Sequence, residues 1–307
     1  MPELPDVTVY VERLAALTGS ATLLGVRLRS PFLLRSVEPP LSSVKDRPVQ
    51  GVRRLGKRIV MALEGEMFLV LHLMIAGRLH WKEAGASIAA KHNLAAFDFS
   101  SGSLVLTEAS SKRRASLYVV AGEEALKAHD RGGLEPLSCS YAEFKQRLCS
   151  ENRTLKRALT APHLFSGIGN AYSDEILHAA GLSPVTLTSR LDAAQLRKLH
   201  RAMQKTLKHW TALLRKESKD AFPKKVTAFR PEMAVHGRYH QPCPACGTLV
   251  QRIRYAENEI NYCPRCQTAG KMLADRSLSR LLGSDWPRTV EDWEEEHPTL
   301  NTTPAKN

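Results

Sequence analysis

The sequence has few cysteines, few aromatic residues and no long apolar run. Its six cysteines are too few to staple a chain of 307 residues with disulfides. Aromatic residues, at 6%, argue against an extended base-stacking platform. No stretch reaches the roughly 18 apolar residues that a transmembrane helix needs, and the acidic start MPELPDV lacks the basic residues of a signal peptide. We therefore expect a soluble, cytoplasmic protein with no membrane partner.

Basic residues clearly outnumber acidic ones. The chain holds 44 Lys and Arg against 31 Asp and Glu, a formal net charge of +13, which favours a polyanionic partner such as nucleic acid. A hydrophobic content of 43% is enough for a packed core. Acidic residues concentrate after Ser284, and the closing HPTLNTTPAKN has no apolar periodicity. This pattern predicts an acidic extension that ends in a disordered tail.

The apolar pattern changes along the chain. Helical spacing in VTVYVERLAALTG predicts one leading helix, and short runs such as RIVMAL and MFLVLHLMIAG then predict an antiparallel sandwich or barrel. After RGGLEPL, three- and four-residue spacing predicts a helical domain. We divide this α+β multidomain chain into a β domain (1–125), a helical domain (126–236), a cysteine module (237–270) and a C-terminal extension (271–307).

Four of the six cysteines form two C-x-x-C pairs. Cys243 and Cys246 are separated by sixteen residues from Cys263 and Cys266, a spacing typical of a four-thiolate zinc site. The alternative is four buried or disulfide-bonded cysteines, which a reducing compartment disfavours. Because four thiolates leave no open coordination position, we predict one structural Zn²⁺ that holds a hairpin rigid.

A glycine turn, SGIGN, lies between two helical patterns. Gly167 and Gly169 leave backbone N–H groups uncovered, and Asn170 begins the next helix. A phosphate group docks readily at such a helix N-terminus, with the Asn170 amide as a further donor. The same residues also suit an ordinary helix–helix turn with a capping asparagine.

The chain starts with Met-Pro-Glu. Removal of Met1, which is normal before a small residue, would expose the secondary amine of Pro2, whose pKa lies closer to neutrality than that of a lysine. Such an amine can attack a carbonyl carbon and form a cationic iminium, and Glu3 supplies a carboxylic acid beside it. Taken alone, Met-Pro-Glu is also an ordinary chain start.

These features occur together with further motifs in a fixed order. MPELPDV, LGKRIVMAL, HLMIAGRL, GLEPL, SGIGNAYSDEIL and the cysteine pairs make the chain resemble the formamidopyrimidine-DNA glycosylase and endonuclease VIII family of base-excision repair enzymes. The resemblance runs from Pro2 to about Gln267. It implies an N-terminal β-sandwich with a leading helix, a helix-two-turn-helix domain that contains SGIGN, and a zinc hairpin that grips DNA.

The resemblance also implies roles for single residues. Pro2 matches the nucleophile that attacks C1′ of the damaged nucleotide, and Glu3 matches the acid that assists opening of the deoxyribose ring. Lys57 matches the lysine of the β-elimination step, which also contacts phosphate. Asn170 matches the phosphate-binding amide of the two-turn motif. Arg131, in DRGGLEPL, matches a DNA-contacting position, and a plain surface arginine is the alternative there.

Several positions depart from the family pattern. Asp6, in the lesion pocket, stands where the family usually has Glu. Ile75 occupies the position of a void-filling methionine beside Met74, a second apolar wedge, and His72 opens this DNA-binding motif. TEASSKRRASLYV lacks the phenylalanine that reads the opposite strand, and the segment after Lys219 is too short for the lesion-capping loop of purine-specific members. These differences favour the endonuclease VIII branch.

We therefore predict a bifunctional DNA glycosylase and AP lyase that excises oxidised bases, pyrimidines above all, through a Schiff base at Pro2. The strand would be cut by β- or β,δ-elimination. The expected partner is damaged DNA, bound by a monomer without a small-molecule cofactor. The alternative is an inactive scaffold that binds lesions or AP sites, against which the joint presence of Pro2, Glu3 and Lys57 argues. A zinc-ribbon accessory protein would leave Pro2 and Glu3 unexplained.

Overall fold

The computed structural model describes residues 1–110, 112–219, 221–223, 230–255 and 258–297. The predicted disordered tail, except for its first residue His297, lies outside these ranges, as does most of the segment between Lys219 and Met233. None of the helices within them combines the length and apolar character needed to cross a membrane.

The chain divides into two compact units. The first joins Met1–Gly133 to Leu207–Thr227, and the second joins Leu134–Thr206 to Ala228–Asn307. The chain therefore passes back into the first unit after leaving it. The boundaries expected at residues 125, 236 and 270 stay predictions.

The first unit is built on an antiparallel sheet. Its helices and strands are α1 (Leu4–Thr18), β1 (Thr22–Leu28), β2 (Arg47–Leu55), β3 (Arg58–Leu63), β4 (Met67–His72), β5 (Gly77–Lys82), β6 (Asn93–Phe99), β7 (Gly102–Glu108), β8 (Ser116–Ala121) and α2 (Glu123–Lys127). The strand order is β5-β7-β6-β1-β2-β3-β4-β8. Strands β1 and β2 pair only at Thr22↔Pro48 and Leu23↔Arg47, so the sheet divides there into two four-stranded halves.

Both halves of this sheet contribute to one apolar core. In α1, Val7, Tyr10 and Leu14 follow each other at three- and four-residue spacing, so they lie on one helix face and are almost fully buried. They pack with inward-facing residues of the two sheet halves, among them Leu23, Leu63, Leu69, Leu79, Phe97, Leu104 and Leu117. The predicted β-sandwich with a leading helix is confirmed.

The apolar run MFLVLHLMIAG is longer than the strand it forms. Strand β4 ends at His72, and a turn leads to Gly77, whose N–H donates to the Leu73 carbonyl at 2.9 Å. Met74 in this turn has a φ of 51°. A Cβ at Gly77 would stand 2.3 Å from the Leu73 oxygen, so the turn requires glycine. Hydrophobicity alone does not reveal this reversal.

The second unit contains the predicted helical region and the cysteine module. Its elements are α3 (Tyr141–Cys149), α4 (Leu155–Thr160), α5 (Asn170–Ala180), the first half of α6 (Ala193–Ser218), β9 (Gln251–Tyr255), β10 (Asn258–Tyr262), α7 (Pro264–Thr268), α8 (Arg276–Leu282) and α9 (Val290–Glu296). The extension thus holds two short helices where the sequence analysis placed none. Val290 and Trp293, one helical turn apart, are buried and anchor α9.

Candidate active site and metal centre

The first site element is the start of α1. Glu3 is the N-cap, and its N–H donates to Asp6 Oδ2 at 2.9 Å, while the Glu3 side chain accepts from the Asp6 N–H in a reciprocal capping box. Glu3 is 2% exposed and Asp6 is 5% exposed, and Pro2 is buried beside them. The helix therefore holds two buried carboxyl groups next to Pro2, at the end where its dipole favours negative charge.

Two basic side chains, Arg78 and Lys57, affect the pKa of the N-terminal amine. Burial lowers the pKa of the Met1 amine below its usual value, and Arg78 and Lys57 lower it further, whereas Glu3 and Asp6 oppose the change. The structure thus brings the predicted Glu3, Asp6 and Lys57 together around the N-terminus. Arg78 was missed by sequence reasoning. Its one signal is its place in HLMIAGRL, directly after the glycine that the β4–β5 turn requires.

Lys57 owes its position to a tight hairpin. Strands β2 and β3 pair up to Leu55↔Arg58, which leaves Gly56 and Lys57 as a two-residue turn. Gly56 has a φ of 61°, while Lys57 keeps an ordinary negative φ, the pattern of a type II′ turn. The ammonium group of Lys57 is therefore carried at the tip of a rigid β-hairpin rather than on a loop.

The same end of the sheet collects further basic groups. Arg58 pairs with His72 across β3 and β4, and Arg58 Nη1 donates to the His129 carbonyl at 2.7 Å. Burial, then Arg131, lowers the pKa of Arg58. Burial, followed by Arg58 and Lys57, lowers the pKa of His72 to about 4. These residues form a basic cluster suited to an anion such as a phosphate.

The expected apolar wedge lies in the turn between β4 and β5. Ile75 is 56% exposed, while Met74 is partly buried. The Arg78 guanidinium donates to the Gly77 carbonyl at 2.7 Å and supports the base of this turn. Of the two apolar candidates, Ile75 is the one that the turn presents to solvent.

In the second unit, the SGIGN turn leads directly into α5. Gly167 has a φ of 78°, and Asn170 is the first helical residue. Asn170 Nδ2 donates to the Glu259 carbonyl of β10 at 2.9 Å, and the buried Lys156 Nζ donates to the Asn170 carbonyl at 2.6 Å. An amide has two N–H donors, so one of them fixes the side chain and the other can meet a ligand.

The four predicted zinc ligands converge. The Sγ atoms of Cys243, Cys246, Cys263 and Cys266 all lie within 4.8 Å of one another, and the 243–266 and 246–263 pairs are 3.9 and 3.4 Å apart. A tetrahedral ion with Zn–S bonds of ~2.3 Å places sulfur atoms roughly 3.8 Å apart. The cysteines are free thiols rather than disulfides. They fit one structural zinc ion with no open position.

Family models match the same three parts of the chain. The formamidopyrimidine-DNA glycosylase N-terminal domain matches residues 1–115, and the H2TH domain of that enzyme matches residues 133–220. The zinc finger found in FPG and IleRS matches residues 241–269. The chain therefore has the three parts of a formamidopyrimidine-DNA glycosylase fold in order: the β-sandwich, the helix-two-turn-helix domain and the zinc finger.

Curated relatives match either most of the chain or about half of it. A formamidopyrimidine-DNA glycosylase of Solibacter usitatus is 31% identical over 277 residues, which cover 87% of this chain and 99% of that protein. An uncharacterized formamidopyrimidine-DNA glycosylase-like protein of Mycobacterium tuberculosis is 41% identical over 150 residues, 49% of this chain and 93% of that protein. This chain belongs to the formamidopyrimidine-DNA glycosylase family.

Solved structures share the fold. A MutM complex with DNA containing carbocyclic 8-oxo-G aligns with a TM-score of 0.76 at 22% identity and covers 87% of this chain and 99% of that one. A complex of the Lactococcus lactis Fpg with DNA containing an abasic site aligns with a TM-score of 0.75, also at 22% identity, and covers 86% and 99%.

Proposed function

We propose that this protein is a bifunctional DNA glycosylase and AP lyase that removes oxidised bases, with Pro2 as the nucleophile. The observation that carries the proposal is the grouping of Glu3, Asp6, Lys57 and Arg78 around the buried chain start. The names of the relatives support base excision, since those proteins are formamidopyrimidine-DNA glycosylases. On this basis we propose damaged DNA as the substrate.

The chemistry uses groups that the structure holds close together. Burial lowers the pKa of the Met1 amine, and Pro2 is itself buried. We expect the same burial to disfavour the protonated form of the Pro2 amine once Met1 is removed, which leaves its lone pair available. The nitrogen bonds to C1′ as the bond to the damaged base breaks, and the base leaves with that electron pair and takes up the proton that the amine gives up. Glu3 gives a proton to the ring oxygen as its bond to C1′ breaks and the deoxyribose opens to an iminium. The iminium acidifies C2′; when water takes that proton, a double bond forms between C2′ and C3′ and the 3′ phosphate is expelled, with Lys57 beside it.

DNA binding is shared among the anion sites described above. Lys57, His72 and Arg131 belong to the basic cluster of the first unit, and the turn before Asn170 offers helix N-terminal donors in the second. Phosphate contacts of this kind position a duplex without reading its sequence. The exposed Ile75 would fill the gap left by a flipped nucleotide.

The proposed preference for pyrimidines is based on the departures from the family pattern taken together: the phenylalanine missing from TEASSKRRASLYV, the short segment after Lys219, and Asp6 in place of glutamate. The Asp6 carboxylate is one methylene shorter than that of glutamate and accepts from the Glu3 N–H, so it reaches less far into the lesion pocket. The endonuclease VIII branch, the monomeric state and the cytoplasmic location stay predictions. A panel of single-lesion duplexes measures the preference, and equal turnover of 8-oxoguanine:cytosine and 5-hydroxyuracil would refute it.

Borohydride trapping tests the nucleophile. Protein whose Met1 has been removed, verified by mass spectrometry, should form a covalent adduct with an AP-site duplex. A matched protein with one extra residue before Pro2 should bind that duplex equally well and give no adduct, because its proline nitrogen is an amide. A protein that carries the added residues at its C-terminus instead serves as the control. Trapping by the extended protein would assign the reaction to another amine, and binding without trapping by the processed protein would indicate a lesion-binding scaffold.

A further inference from the structure

One face of α5 carries a row of polar residues. Each of them is hydrogen-bonded to the cysteine module or to the chain segment that enters it. The residues are Asn170, Asp174, Glu175 and His178, at offsets of four, five and eight, which places them on a single helix face. Polar residues at such spacing normally face water. Here Asp174 is 0% exposed and Glu175 is 6% exposed.

The middle of this face is a buried ionic network. Lys156 Nζ lies 2.5 Å from Asp174 Oδ1, and His236 Nδ1 donates to Asp174 Oδ2 at 2.7 Å. Glu175 accepts three backbone N–H bonds, from residues 234, 235 and 236, at 2.8 to 2.9 Å. The chain segment that enters the cysteine module is thus bound to two adjacent carboxylates of α5.

The two ends of the face are attached to the module itself. At the N-terminus, the Asn170 amide donates to the Glu259 carbonyl of β10 at 2.9 Å. Near the C-terminus, His178 Nε2 lies 3.2 Å from Sγ of the zinc ligand Cys243. A zinc-bound thiolate can only accept, so Nε2 carries the ring proton and donates it. With a rise of ~1.5 Å per residue, the two attachments stand roughly 12 Å apart along one rigid helix.

We propose that His178 is a positioning residue that couples the zinc site to the phosphate-binding turn. By holding Cys243, it fixes the register of α5 against the zinc module, and this register decides whether the Asn170 amide meets both the Glu259 carbonyl and a DNA phosphate. The hydrogen bond also takes up part of the negative charge of the thiolate and so helps to keep the Cys243 sulfur bound to the metal. The coupling rests on the proposed DNA-binding role of Asn170, but it does not depend on any catalytic step.

The variant His178→Phe removes the donor and keeps a planar ring, and His178→Gln restores a donor. His163→Phe, which replaces a half-buried histidine bonded to Glu151, is the matched control. Losing such a partner typically lowers metal affinity 10- to 100-fold, so zinc release into a colorimetric chelator should be faster for His178→Phe by about that factor. The Gln variant and the control should release zinc at nearly the wild-type rate.

A double-mutant cycle then measures the coupling on a duplex with an uncleavable AP-site analogue, using zinc-loaded protein. Asn170→Ala should weaken binding about tenfold in the wild-type background, as expected for one hydrogen bond to a charged group. In the His178→Phe background the same change should cost about threefold or less. Arg131→Ala, in the first unit, should cost the same in both backgrounds.

Two results would overturn the coupling. One is zinc release by His178→Phe at the wild-type rate, and the other is an equal cost of Asn170→Ala with and without His178. Circular dichroism of each variant checks that it is folded, and rescue by His178→Gln separates hydrogen bonding from packing. Because neither readout involves base excision, a failure of borohydride trapping would refute the proposed function and leave this test intact.

Discussion

His72 makes the stability of the protein depend on pH in a calculable way. Burial, then Arg58 and Lys57, lowers the pKa of its imidazole to about 4 in the folded protein. The unfolded chain has the ordinary value of ~6.5, so it binds the proton first as the pH falls. The contribution of neutral His72 to the free energy of unfolding is therefore fully present above pH ~6.5 and is lost progressively down to pH ~4.

The magnitude follows from the two pKa values. Each unit of difference is worth ~1.4 kcal/mol, and the gap from ~6.5 to about 4 amounts to ~3.4 kcal/mol once both states are protonated. Integrated between pH 7 and pH 5, the loss is about 2 kcal/mol. This value changes little if the folded pKa lies one unit higher, because at pH 5 the unfolded chain dominates the proton uptake.

Urea unfolding of the wild type and of His72→Gln at pH 7 and pH 5 measures this loss. Other titrating groups contribute equally to both proteins, so the variant should lose about 2 kcal/mol less on acidification. His92→Gln, at an exposed position, is the control. In an NMR titration, Arg58→Met should raise the pKa of His72 only partly, because burial is the larger cause.

Two results would contradict a buried, neutral His72: an imidazole resonance that titrates near 6.5, or a pH dependence of unfolding that His72→Gln leaves unchanged. Either outcome would mean that the end of β4 is open to water and that the basic cluster is not desolvated. A DNA phosphate next to His72 would raise the pKa of the imidazole. DNA affinity should then strengthen modestly as the pH falls towards 5.5, and this gain should disappear in His72→Gln.

Three further predictions concern the chemistry, the metal and the wedge turn. Glu3→Gln should slow base excision by 10²- to 10⁴-fold and cleavage of a preformed AP site much less, and equal losses in both assays would remove the proton-donor role. Cys246→Ser should release zinc and lower DNA affinity with a shallower dependence of log K on log salt, since fewer phosphates are neutralised, and an unchanged affinity and slope would argue against a DNA-gripping hairpin. Gly77→Ala should lower the free energy of unfolding by about 1–3 kcal/mol, because its Cβ would stand 2.3 Å from the Leu73 carbonyl oxygen. The control Gly51→Ala, whose Cβ would meet nothing within 4 Å, should lower it by far less. Equal effects of the two variants in urea titrations would contradict the turn geometry.

Features that depend on local spacing could be predicted from the sequence. The C-x-x-C pairs fix the zinc site because each turn presents two sulfurs to one ion, and helical periodicity fixes α1. The resemblance named Lys57, His72 and Arg131 singly, but their assembly with Arg58 could not be predicted. Arg58 and His72 meet through the register of two strands, and Arg131 comes from a loop far along the chain. Asp174 and Glu175 look like solvent-facing helix residues in sequence. Only the fold shows that they are buried and bonded.

The side chains assigned to the site lie beside turn residues with a left-handed backbone. Gly56 next to Lys57 has a φ of 61°, Gly167 before Asn170 has a φ of 78°, and Met74 next to Ile75 has a φ of 51°. For a residue with a Cβ this left-handed region costs ~1–2 kcal/mol, so the conformation of Met74, in the turn between β4 and β5, must be offset by the structure around it. Such turns cannot slide by one residue without losing the paired strands or helix that follow them. The reacting and binding groups are therefore placed by strand register and helix N-termini, and a substitution that relaxes one of these turns should disturb geometry before it disturbs charge.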